Sequence, residues 1–155
     1  MDLNNHYANE IIMYVTDGSK RFTDPLLIIL VWKNCGACKS ILKSIEGLLV
    51  RHGRHMFHAI TIENSYRAAV AEKLEEASTK YSNVSNEFKA LKSLASEMEH
   101  TDAFPKIIRY MQGSLNITKG NRKVPYTVHM GFQDEDALCK TFSGELTHLP
   151  CGSRK

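Results

Sequence analysis

The chain has 155 residues, a formal net charge of +3 and 24% charged residues, with both signs mixed along its length. That length suits one domain over residues 1–155, and so small a charge gives no electrostatic footprint for nucleic acid. No stretch approaches the roughly 20 apolar residues of a membrane span, and Met1-Asp2-Leu3-Asn4-Asn5-His6 lacks the basic start and apolar centre of a secretory signal. The expectation is a cytoplasmic protein with no membrane partner, and its four cysteines do not resemble the framework of a small secreted disulfide scaffold.

Glu10 to Val15 reads as a first strand, with a short helix from Asn4 as the other solution of the same pattern. Turn chemistry at Thr16-Asp17-Gly18-Ser19 and Thr23-Asp24-Pro25 leaves room for little more than a loop before the next element. Leu26 to Trp32 is an unbroken apolar run, which suits a central strand covered on both faces. A helix then runs from the Cys35-Gly36-Ala37-Cys38 motif to about Arg51-His52, with Gly53 as its stop. Phe57 to Ile62 alternates and is β-branched, so it forms a third strand, parallel to the second through the helix.

Asn64-Ser65 is positioned to cap the helical segment after it. Tyr66 to Glu99 carries helical spacing in two stripes, Val70, Leu74, Ala77 and Tyr81, then Val84, Phe88, Leu91, Leu94, Ala95 and Met98, divided at Ser82-Asn83. Lys106 to Met111 is a fourth strand begun after Pro105, where a missing N–H is tolerated. Gln112 to Lys123 is a hairpin loop, Val124 to Phe132 pairs back as a fifth strand, and Asp134-Glu135-Asp136 opens a last helix in which Leu138 and Phe142 face inward before Gly144 ends it. Cys139 reads there as a packing residue, and Cys151 falls in a flexible tail over about 146–155.

The chemistry concentrates at the two motif cysteines. Cys35 falls where the strand pattern ends, near a helix start whose unpaired N–H groups and dipole favour an anion and lower a thiol pKa. Cys38 is in phase with Ile41, Leu42, Ile45, Leu48 and Leu49, which places its sulfur on the inward face. Two sulfurs at this spacing can close a small ring, a redox-active disulfide that serves as the only cofactor. Cys35 would attack a partner disulfide and Cys38 would resolve the mixed disulfide. A zinc site is the competing use of Cys-x-x-Cys, but Cys139 and Cys151 lie far apart without a second such motif, leaving His52, His55 and His58 as further donors. Two unrelated buried cysteines would explain Cys38 and not Cys35, which sits among Asn, Gly and Lys at a turn.

The order β, β, α, β, helical segment, β, β, α, with Cys-Gly-x-Cys-Lys opening the central helix and a proline opening the later hairpin, resembles the thioredoxin-like superfamily over roughly Ile11 to Gly144. The resemblance implies an α/β fold with a central mixed sheet of about five strands flanked by helices, and a helical segment at about 65–100 enlarged relative to that family. It also implies substrate contacts around Trp32, Gly36, Ala37, Phe104 and Pro105, with a cis bond at Phe104-Pro105. Val124-Pro125-Tyr126 is the rival position for that proline.

Three departures stand out. Asn34 replaces the usual tryptophan before the first cysteine, Leu26 to Val31 contains no counterpart of the family's buried acid, and the 65–100 segment is long. Departures of this size suit a divergent, for instance virus-encoded, member. The implied activity is thiol–disulfide exchange with protein disulfide or dithiol substrates and an unidentified reductant or oxidant. The alternative is a binding or assembly module with a structural or vestigial Cys pair, its helical segment recruiting a partner or forming a homodimer. A glutathione-linked enzyme is a third reading, with Lys33, Lys39 and Lys106 as the basic groups for the glutathione carboxylates.

Overall fold

β1 (Leu26–Val31) is Leu-Leu-Ile-Ile-Leu-Val, and all six side chains are buried. A strand apolar on both faces belongs inside a sheet that is covered twice, and that is its place in the computed structural model of the chain. The structure describes residues 3–16, 26–52, 58–110, 117–119, 122–131 and 138. Among these the other elements are α1 (Leu3–Thr16), α2 (Gly36–His52), β2 (His58–Glu63), α3 (Asn64–Ser78), α4 (Asn86–Glu99), β3 (Lys106–Tyr110), β4 (Ile117–Lys119), β5 (Arg122–Val124) and β6 (Tyr126–Met130). No helix among the described residues is long and apolar enough to cross a membrane.

The main sheet is mixed, with strand order β2-β1-β3-β6. β1 and β2 run parallel from Leu26↔His58 to Val31↔Glu63, joined through α2 as the expected βαβ unit. β3 is antiparallel to β1, with Ile28 opposite Ile108, and β6 is antiparallel to β3, with Ile108 opposite Val128. The alternation of β1 divides the core. Leu26, Ile28 and Leu30 pack with Ile11 and Tyr14 of α1, Val70 and Leu74 of α3, and Leu91 and Leu94 of α4. Leu27, Ile29 and Val31 pack with Cys38, Ile41, Ile45 and Leu48 of α2 and with Leu138.

Among the described residues the main sheet has four strands rather than five, because the segment read as a first strand is the last part of α1. A strand would put Ile11, Met13 and Val15 on one face, whereas Ile11 and Val15 are buried and Met13 is 50% exposed. Ala8, Ile11, Tyr14 and Val15 recur at helical spacing and enter the core together.

The expected hairpin loop also contains structure, a two-stranded ribbon pairing Ile117 with Val124 and Lys119 with Arg122. The expected fifth strand is broken in two, with Pro125, which has no N–H for a ladder, standing between β5 and β6.

The helical segment is divided as expected. Ser85 caps α4 by accepting from the Phe88 N–H at 3.1 Å; the buried stripe begins at Ala90 and Leu91, Phe88 is half-buried, and Val84, before the cap, is 74% exposed. The cap of α3 falls one residue earlier than the expected Asn64-Ser65. Its N-cap is Glu63, which makes no side-chain capping bond, while Asn64 accepts from Arg67 Nε at 2.9 Å. Arg67 also donates to the Glu99 carbonyl at 2.9 Å, satisfying an end group of α4 and pinning the two helices together. The Leu91 and Leu94 side chains are fully buried within the chain, in the core shared with α1 and α3. Of the expected last helix only Leu138 is described, helical and fully buried; Cys139, Phe142, Gly144 and the 146–155 tail lie outside the described residues.

Candidate functional site

Where β1 ends, Trp32, Lys33 and Asn34 form a turn closed by the Cys35 N–H donating to the Trp32 carbonyl at 3.1 Å. α2 starts at Gly36, which makes Cys35 its N-cap. The N–H groups of a first helical turn have no partner within the helix, and an N-cap side chain takes one of them. Here a sulfur does so, with the Cys38 N–H 3.0 Å from Cys35 Sγ. Cys35 and Cys38 are joined in a disulfide, their Cα atoms 5.2 Å apart.

The two sulfurs are in different surroundings. Cys38 is 2% exposed, in the stripe with Ile41, Ile45 and Leu48, as its phase predicts. Cys35 is half-buried at the mouth of the site. The space beside it is open: a Cβ built on Gly36 would meet nothing within 4 Å. Ala37 is half-buried, and Trp32 is 45% exposed.

Phe104-Pro105 is a cis peptide. Of the two candidate prolines, Pro105 is the one in the site. Cys35 Sγ lies 3.9 Å from the Phe104 carbonyl oxygen, and the Phe104 ring packs against both halves of the core. Pro105 is buried, and its carbonyl accepts from the Gly131 N–H at 3.0 Å, tying the segment to the end of β6. The structure therefore brings the Phe104 carbonyl beside the Cys35–Cys38 pair, with Pro105 next in the chain.

Lys33 and Lys39 are exposed beside the motif, but Lys106 is not available to a ligand. Strand alternation puts Lys106 on the face of Ile108 and Tyr110, away from α2, where its ammonium lies 2.8 Å from Glu97 Oε1 of α4. This corrects the expectation that Lys106 serves a glutathione carboxylate. Glu97 escaped sequence reading, although a signal for it exists. It stands three residues after Leu94 and seven after Ala90, so it is an acid on the inward stripe of an amphipathic helix.

His58 is exposed, its Nε2 lying 3.3 Å from Glu10 Oε2 and its ring stacked on Tyr14. The His52 side chain and His55 lie outside the described residues. Among the described residues no group of three His, Cys, Asp or Glu side chains is gathered to hold a metal.

No protein-family model matches the chain, and a search of curated proteins finds no match. The α/β fold, the mixed sheet and a disulfide at Cys-x-x-Cys spacing are compatible with a thioredoxin-like protein.

Proposed function

We propose that the chain is a thiol–disulfide oxidoreductase acting on protein disulfides through Cys35 and Cys38. The observation that supports it best is the asymmetry of the pair. One sulfur is open to a partner and takes an N–H of the first helical turn, while the other is buried directly behind it. In the reduced form that N–H and the helix dipole favour the Cys35 thiolate.

The thiolate attacks one sulfur of a substrate disulfide, forming a Cys35–substrate disulfide and releasing the other substrate sulfur as a thiolate. Cys38 then gives its proton to water, attacks Cys35 Sγ and releases the second substrate thiolate. Two electrons pass from the protein dithiol to the substrate disulfide, and the Cys35–Cys38 disulfide forms. An external dithiol restores the starting state, and the same steps in reverse oxidise a substrate dithiol. No cofactor beyond the sulfur pair enters this cycle.

Reduction of insulin disulfides tests the proposal. Cys35→Ser is expected to abolish it, and Cys38→Ser is expected to accumulate mixed disulfides through Cys35, because only the second variant keeps the nucleophile while losing the resolver. One observation favours the second reading, a binding module with a structural Cys pair: β1 consists of six apolar residues and offers Cys38 no acid. Thiol exchange unaffected by either substitution would establish that reading in place of the first.

A further inference from the structure

Behind the site lies an ion pair that the proposed cycle does not use. The Lys106 and Glu97 side chains are only 5% and 12% exposed, with Nζ 2.8 Å from Oε1. Nζ also donates to the Glu97 carbonyl at 2.8 Å and to Thr101 Oγ1 at 3.4 Å, and the Tyr126 hydroxyl donates to Glu97 Oε2 at 3.2 Å. Two buried charges are a poor device for stability alone, since a well-packed apolar pair of the same volume serves as well or better. What the pair adds is direction. It fixes the first residue of β3 against the last turn of α4, while the Gly131 N–H holds the Pro105 carbonyl from the other side.

The atom this anchorage places is the Phe104 carbonyl oxygen, 3.9 Å from Cys35 Sγ and two residues upstream of Lys106. A carbonyl oxygen there accepts from a thiol S–H and repels a thiolate, so its position bears on the balance between the two forms. We propose that Lys106 and Glu97 are positioning residues that hold the Phe104 carbonyl against Cys35 and so set the reactivity of that thiol. The proposal rests on the thiol–disulfide function, since only there does the Cys35 thiolate matter.

The test is the rate of Cys35 alkylation by iodoacetamide in the reduced full-length chain, followed across pH by mass mapping. The double variant Lys106→Met/Glu97→Gln removes one charge of each sign and leaves the net charge unchanged. It is expected to fold, to alkylate about threefold faster at about pH 6, and to show its profile displaced to lower pH as the carbonyl is released. Lys106→Met and Glu97→Gln singly are expected to move the profile in that same direction, whereas Lys106→Arg, which keeps charge and donors, leaves it at wild type. Opposite shifts in the two single variants with none in the double would mean that charge alone acts at a distance, and would overturn the proposal. Lower melting temperatures with an unmoved profile, or a double variant that does not fold, would mark the pair as structural and overturn it equally. Alkylation needs no partner disulfide, so failure of this proposal is distinguishable from failure to reduce insulin.

Discussion

Cys35 and Cys38 are one helical turn apart, and their surroundings assign them different chemistry. In the reduced chain Cys35 is expected to alkylate first, because it combines access with the N-terminal N–H groups of α2, while Cys38 is 2% exposed among Ile41, Ile45 and Leu48. Mass mapping of partially alkylated protein checks this, and first labelling at Cys38 would reverse the roles of the two thiols. The pair was legible in the sequence because everything that defines it is local: an apolar strand, a turn, and a helix whose phase puts Cys38 inward. Lys106 and Glu97 were not legible as partners. Their contact is made across the turn between α4 and β3, and each is a charged residue inserted into a run that otherwise alternates or repeats as apolar. A lysine after a proline reads as exposed until the register with β1 sets its face.

Among the elements, α4 carries the sharpest expectation. Leu91 is fully buried in the core shared by α1, α3, β1 and β3. Leu91→Asp would bury a carboxylate there without a partner, and is expected to destabilise the fold by about 3 kcal/mol or more. Thermal melts read that loss, and light scattering on the same variant is expected to give the wild-type mass for whatever remains folded, because the stripe is internal to one chain. An unchanged melt would contradict the packing of α4, and a fall in mass would show that the stripe joins subunits. The division of the segment into two helices was readable from Ser82-Asn83, yet the first-strand expectation failed at α1. Six residues with apolar side chains at nearly every position fit both periods, and only the 50% exposure of Met13 between buried Ile11 and Val15 separates them. The β4–β5 ribbon was hidden for another reason: its strands are three residues each, too short for alternation to register.

At the scale of the molecule, the sheet is a partition: among the described residues, α2 and Leu138 pack on one side and α1, α3 and α4 on the other. The α3–α4 pair covers that second face together with α1. Its C-terminal end meets β3 at Lys106, two residues from the Phe104 carbonyl, so disulfide chemistry on one side of the sheet and packing on the other meet at Phe104-Pro105. The outer strand carries a pH dependence of its own. Thr127 and His129 lie on the α2 side of β6, alternating with Tyr126 and Val128, and Arg109 pairs with Thr127 in the ladder. Burial holds the His129 pKa below its ordinary 6.5, and the positive charge of Arg109 lowers it further. The folded chain therefore binds this proton less readily than the unfolded chain. Stability from this group is complete above about pH 6.5 and falls as pH drops through that value toward the depressed folded pKa, where the unfolded state takes up the proton first. Melting temperatures measured at about pH 7.5 and about pH 5.5 are expected to fall for the wild type and to fall less for His129→Gln, which keeps a polar group near Thr127 Oγ1, 3.0 Å from the ring nitrogen, but cannot be protonated. An equal fall in both proteins would assign the acid sensitivity to other groups and leave His129 neutral in its effect.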